Sequence, residues 1–158
     1  MYLVAISVSL CILYIILFFL FPELFNQERR KIELSSVKSV VLILLLSFFG
    51  YFIAFNISDT EWSNRFLHGF GGGFMALLVC FLVIRDTKLK INKFQFLVLS
   101  ILIVTTLGVA NEILEFLLQN YVGFTFATSI NDTWLDLTSN AVGSLVAATS
   151  FVPLIDRR

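Results

Sequence analysis

The sequence predicts an all-α, polytopic membrane protein with five transmembrane helices, its N-terminus outside and its C-terminus in the cytoplasm. Three observations lead there. Hydrophobic residues make up 58 % of 158 residues and mean hydropathy is +0.92, more apolar surface than a soluble domain of this length can hide. Charge-free apolar runs recur at the length that a bilayer demands, and the cations between them fall on alternate connections. Strand-like alternation of polar and apolar residues is absent, which argues against a barrel.

A hydrocarbon layer of about 30 Å takes about 20 helical residues at about 1.5 Å each. The first run spans about residues 1–21 and stops at Pro22. It has no charged leading region and is longer than the apolar core of a secretion signal, so it reads as a retained spanning helix. The other runs cover about residues 39–57, 64–84, 94–118 and 132–153. No repeat, low-complexity stretch or linker divides them, and residues 1–158 read as a single transmembrane domain. Between Pro22 and Lys38 charge mixes with Leu and Ile, a pattern that suits either a helix lying on the inner membrane surface or a solvated loop.

Orientation follows from the cations, because cytoplasmic connections keep an excess of Lys and Arg. Arg29, Arg30, Lys31 and Lys38 follow the first run, Arg85, Lys88, Lys90 and Lys93 follow the third, and Arg157 and Arg158 end the chain. The second connection holds only Arg65, and residues 119–131 hold no cation. Trp62, Tyr121 and Trp134 then share the outer boundary, where amphipathic rings settle. Lys plus Arg number 11 and Asp plus Glu number 11, so no overall charge favours nucleic acid as a partner. Cys11 and Cys80 lie in apolar runs without a CxxC spacing and read as membrane-buried thiols. The expected location is a cell membrane, crossed several times, with lipid as the surrounding partner.

Ionisable groups inside such runs are costly, about 2.5 to 3.5 kcal/mol at mid-membrane on insertion scales, and so carry information. Glu112 and Glu115 stand three apart on one face of the fourth helix, while Asp132, Asp136 and Asn140 form a stripe at four-residue spacing down the fifth. His68, the only histidine, stands one turn inside the third helix, three residues after Arg65. With alternating helix directions, all of these groups reach the same depth in the outer third of the membrane. Simpler readings stand beside that one. Asp132 also suits a helix N-cap, Glu115 a side chain snorkelling to the interface, and Arg65 a counter-ion for an acid on a neighbouring helix.

The HGFGGGF segment lacks the GK[ST] of a phosphate loop and reads instead as a packing surface. Gly69 and Gly73 have GxxxG spacing, and the fifth helix offers small residues around Asn140, Gly143, Ser144, Ala147 and Ala148. The third and fifth helices are therefore expected to touch, bringing His68 towards Asp136. Several carboxylates around one imidazole suit a hard divalent cation such as magnesium, manganese or calcium better than structural zinc. The Glu-x-x-His pairs of di-iron bundles and the GxSxG elbow of hydrolases are both missing. The uncharged, aromatic residues 119–131 suit either an ordinary outer loop or a lid dipping over the cluster.

Arg65-x-x-His68, Glu112-x-x-Glu115 with Gln119, and Asp132, Asp136, Asn140 and Gly143 together resemble the VanZ-like group of small bacterial membrane proteins and the related YjdF-like proteins. The resemblance covers residues 65–148, with no diagnostic residue in the first two spans, and this chain departs from it in lacking an arginine before the aspartates. It implies a helical protein of the bacterial cytoplasmic membrane, in a group named after a member associated with resistance to glycopeptide antibiotics.

Three functions fit the residues. The cluster Arg65, His68, Glu112, Glu115, Asp132, Asp136 and Asn140 suits a pocket that binds or processes the head group of an envelope lipid or lipid-linked precursor, with His68 or a glutamate as base if chemistry occurs. A structural or partner subunit would use the same groups only to lock helices together. A proton- or cation-coupled transporter would use them as a relay, although no ionisable residue continues the path from Glu112 towards the Arg85 side.

Overall fold

A computed structural model describes residues 2–29, 31–124 and 130–155, and all its regular structure is helical. Five helices are long and apolar enough to cross a membrane. They are α1 (Tyr2–Leu24), α2 (Leu34–Phe55), α3 (Thr60–Thr87), α4 (Lys93–Val122) and α5 (Ile130–Phe151), the last closed by a 3₁₀ turn, Val152–Leu154.

The helices extend beyond the charge-free runs because capping residues, not hydropathy, set their ends. The Asp59 carboxylate accepts from the backbone N–H groups of Glu61 and Trp62 at 2.9 and 3.1 Å, so α3 begins at Thr60, four residues before its apolar run. Asn92 and Gln95 form a reciprocal capping box that starts α4 at Lys93. Pro22 does not end α1 as expected; the helix continues to Leu24. Proline disrupts a helix through its missing N–H and its clash with the preceding turn, and here it falls in the final turn, where few bonds remain to be lost. Residues 25–29 and 31–33 form no helix, so the surface helix considered for that stretch is not present among the described residues.

Contacts at both ends show how the helices alternate. At one end Gln27 exchanges two hydrogen bonds with the Lys90 backbone, and Lys93 Nζ donates to the Pro153 carbonyl. At the other, Ser63 Oγ donates to the Ala54 carbonyl and Arg65 meets Asp132. The first end collects the described loop cations; the second collects Trp62, Tyr121 and Trp134, whose rings are all exposed. Arg30, Arg157 and Arg158 lie outside the described residues.

Helix α3 is the central element: 61 % of its apolar window is buried, against 17 % for α4. Its second half packs Met75, Val79, Leu82 and Val83 against Tyr14, Leu17, Phe18 and Phe21 of α1, with Ile43, Phe96 and Ala147 closing the core. The outward faces of α2 and α4 carry exposed Leu45, Phe48, Phe52, Leu102 and Phe116, the surface expected to meet lipid.

The middle of α3, His68–Met75, is wound as a π-helix, a widened form that is rare outside short stretches. Here α5 approaches most closely. A Cβ on Gly143 would run into the Gly69 carbonyl, and one on Gly73 would meet the backbone of Asn140 and Ser144, the latter at 2.8 Å. The expected contact between third and fifth helices is thus a contact of two backbones, made possible because no side chain stands between them. We expect Gly143→Ala to lower the thermal midpoint of the detergent-solubilised protein by overpacking, at a cost of about 1 to 3 kcal/mol. Gly71→Ala, whose Cβ would meet only Ile6 Cγ2 at 3.9 Å, should leave it unchanged.

Candidate functional site

The backbone contact of α3 with α5 delivers the polar face of each helix to the other. Arg65, 14 % exposed, reaches across and binds both aspartates: its Nη2 lies 2.9 Å from Asp132 Oδ1 and its Nη1 lies 2.6 Å from Asp136 Oδ1. The same Nη1 donates to the Asp132 carbonyl at 3.3 Å. Asn64, one residue earlier on α3, donates to both oxygens of Asp136 at 3.1 and 3.2 Å. The Asp136 carboxylate is thereby enclosed by donors, consistent with its near-complete burial.

His68 stands one turn further along α3 and faces two acids. Its Nε2 lies 3.4 Å from Asp136 Oδ2, and its Nδ1 lies 3.9 Å from Glu112 Oε1. The second distance is too long for a hydrogen bond, and Glu112 Oε1 is buried without any hydrogen-bond partner. Glu115 completes this side: one ligand atom each from His68, Glu112 and Glu115 lies within 4.8 Å of the others. The Glu115 carboxylate is itself held by Asn111 Nδ2 at 2.8 Å.

The cluster therefore has two unlike halves. Arg65 is paired with Asp132 and Asp136, whereas the nearest cation-forming side chain to Glu112 is His68, whose imidazole is charged only when protonated. Carboxylates outnumber cations, so the free half attracts positive charge and repels a bare anion. Ligand atoms on opposite sides of a calcium ion lie up to about 5 Å apart, and on magnesium about 4.2 Å, given their usual bond lengths. A spacing of up to 4.8 Å lies within the calcium limit, and with the partnerless Glu112 oxygen it fits a cation of that size.

Of the seven expected residues, six join this chain of contacts. Asn140 does not. Its side chain sits deeper, where a Cβ on Gly72 would meet its Oδ1 and one on Gly108 would lie 3.1 Å from its Nδ2; the Oδ1 is buried and has no hydrogen-bond partner. The absence of side chains at Gly72 and Gly108 makes room for Asn140 where α3, α4 and α5 meet. Most of the lid considered for residues 119–131 lies outside the described residues, which omit 125–129.

The sequence reading missed Asn64, although it precedes Arg65 directly. It also missed a second buried polar group at the opposite end of α3. The Asp86 carboxylate accepts from Tyr14 Oη at 2.7 Å, from Ser39 Oγ, and from Arg85 Nε at 3.0 Å, while Arg85 Nη2 donates to Ser39 Oγ at 2.8 Å. Asp86 follows Val79, Leu82 and Val83 at helical spacing on a buried face, the signal that distinguishes it from a loop acid.

A family model described as predicted membrane protein (DUF2238) matches residues 2–157. The chain belongs to that family. The DUF2238 match takes in all five spans, including the two helices that the VanZ-like resemblance left out, and its description specifies no substrate. No curated protein and no solved structure matches the chain.

Replacing Arg65 with Met removes the cation between buried Asp136 and partly buried Asp132, and breaking a buried pair in this way costs about 3 to 5 kcal/mol. Arg29→Met, in an exposed pair with Glu23, should cost less than about 1 kcal/mol. Unfolding midpoints of the two variants measure the difference.

Proposed function

We propose that this chain binds the phosphate-bearing head group of an envelope lipid or lipid-linked precursor, and that it does so through a divalent cation held by His68, Glu112 and Glu115. The observation that carries the reading is Glu112 Oε1, buried and without a hydrogen-bond partner beside an imidazole and a second carboxylate. A buried carboxylate oxygen left in that condition is destabilising, and a cation removes the penalty. Four carboxylates repel a phosphate while Arg65 is paired with two of them, and a cation held by His68, Glu112 and Glu115 would supply the electrostatic attraction and polarise the phosphate.

Within the protein, Asp136 orients His68 through Nε2 and leaves Nδ1 facing the cation position. Arg65 and Asn64 fix Asp136 in turn. Half-buried Glu115 gives the cluster its open side, at the end of the bundle that the distribution of cations assigns to the outer face. The resemblance to VanZ-like proteins supports an envelope setting in the bacterial cytoplasmic membrane.

A second reading, a structural or partner subunit, draws support from the Arg65 bridge to Asp132 and Asp136, which ties α3 to α5 whether or not anything binds. A transporter finds less support. Between the cluster and Asp86 at the far end, the buried face of α3 runs through Met75, Val79, Leu82 and Val83, with Val104 opposite, and none of these intervening side chains carries a polar relay group.

The test is equilibrium Mn²⁺ binding to protein in lipid nanodiscs, followed by capture of a polyprenyl phosphate. Mn²⁺ should bind, Glu112→Gln should weaken it by about 10 to 100-fold, and phosphate capture should require the metal. Glu112→Gln and Asp136→Asn protein that inserts normally and keeps full metal and lipid binding would leave the structural reading in its place.

A further inference from the structure

At the end of α3 remote from His68, about 25 Å away along the helix at 1.5 Å per residue, lies an open-sided cleft of about 300 Å³. It is bounded by the last turns of α3, the α3–α4 connection and the turn that closes α5. Phe81, Ile84 and Leu154 supply an apolar wall, and Arg85, Lys88 and Lys90 supply cations; no acidic side chain lines it among the described residues. The volume is that of a small-ligand site.

The cationic lip is built on a fixed backbone. Gln27 clamps both the N–H and the carbonyl of Lys90, and the Leu89 N–H bonds to the Ile84 carbonyl at 3.0 Å. Leu89 and Ile91 on either side are buried. Lys88 occupies the left-handed position (φ 53°) that ends α3, where glycine is the usual residue. Arg85 is partly engaged by Asp86 and Ser39, whereas the Lys88 and Lys90 ammonium groups have no ion-pair partner among the described residues. The opposite wall is secured by the bond from Lys93 Nζ to the Pro153 carbonyl. A cleft that is apolar on its membrane side and cationic at its lip matches a molecule with the inverse layout, an acyl chain joined to a phosphate.

We infer that this cleft is a binding site for an anionic phospholipid, whose phosphate is held by Lys88 and Lys90 with Arg85 beside them and whose upper chain lies against Phe81 and Leu154. The site is separate from the His68 cluster and requires no metal. Cations spread over a membrane surface attract anionic lipid only diffusely, whereas this ordered lip, backed by apolar wall, selects a head group and chain together.

The inference is tested with the full chain in detergent, adding phosphatidylglycerol, phosphatidylcholine, glycerol phosphate or inorganic phosphate, with thermal midpoint and lipid retention in native mass spectrometry as readouts. Phosphatidylglycerol should raise the midpoint and be retained, and the other three should do neither at equal concentration. The double variant Lys88→Asn, Lys90→Gln, chosen because asparagine tolerates the left-handed backbone, should lose at least tenfold in lipid affinity while keeping its lipid-free midpoint. Lys31→Gln, Lys38→Gln, which removes the same charge nearby, should bind as the parent does. Equal loss in both double variants, retention by the Lys88 and Lys90 variant, or equal binding of glycerol phosphate without chains would overturn the assignment. Because Mn²⁺ binding at His68 is read separately, either proposal can fail while the other stands.

Discussion

The polar contacts that join α3 to α5 depend on one approach of backbone to backbone. Gly69 and Gly73 of α3 meet Gly143 and its neighbours on α5 with no side chain between them, and only at that separation can Arg65 span to Asp132 and Asp136 while His68 still reaches Asp136. A bilayer gives helices little hydrophobic reason to associate, so close packing and polar contacts must supply it. Here the two act on the same pair of helices and reinforce each other. The π-wound stretch lies at that junction, consistent with the frequent placement of such turns where a helix must present side chains and admit a neighbour at once.

The two halves of α3 divide the labour. From Met75 onward it is an apolar core element gripped by α1, closed off at its end by the Asp86 group with Tyr14 and Ser39. Before Met75 it is glycine-rich and polar, and its partner is α5. Such a division places the apolar core at one end and leaves a buried carboxylate oxygen, Glu112 Oε1, without a hydrogen-bond partner at the other. A bundle stabilised throughout by its buried carboxylates would leave none of them wanting. Among the four carboxylates of the cluster, the buried oxygen without a hydrogen-bond partner is Glu112 Oε1, 3.9 Å from the histidine.

Much of this was legible in the sequence because membrane insertion imposes simple rules. Uninterrupted apolar length revealed the spans, and charge placement grouped Arg65, Glu115 and Asp132 at one depth. The GxxxG spacing of Gly69 and Gly73 pointed to α5, and with it to the meeting of His68 and Asp136. Helix ends were less legible, since Asp59, Asn92 and a late Pro22 act through hydrogen bonds and position within a turn, which hydropathy does not register. Asp86 escaped because its charged neighbours Arg85 and Lys88 made it resemble a loop residue. Its partners Tyr14 and Ser39 are distant in sequence and unremarkable within apolar runs. The π winding had a signal in the four glycines of residues 68–75, but that signal was equally satisfied by close packing alone.

The account turns on what occupies the space beside Glu112. Pulsed electron paramagnetic resonance of Mn²⁺ added to the nanodisc-embedded chain reads this most directly, because an imidazole nitrogen bonded to the ion leaves its own coupling in the spectrum. The account predicts one tightly bound ion with a nitrogen coupling that disappears in His68→Gln. Bound manganese without that coupling, or no bound manganese at all, would contradict it.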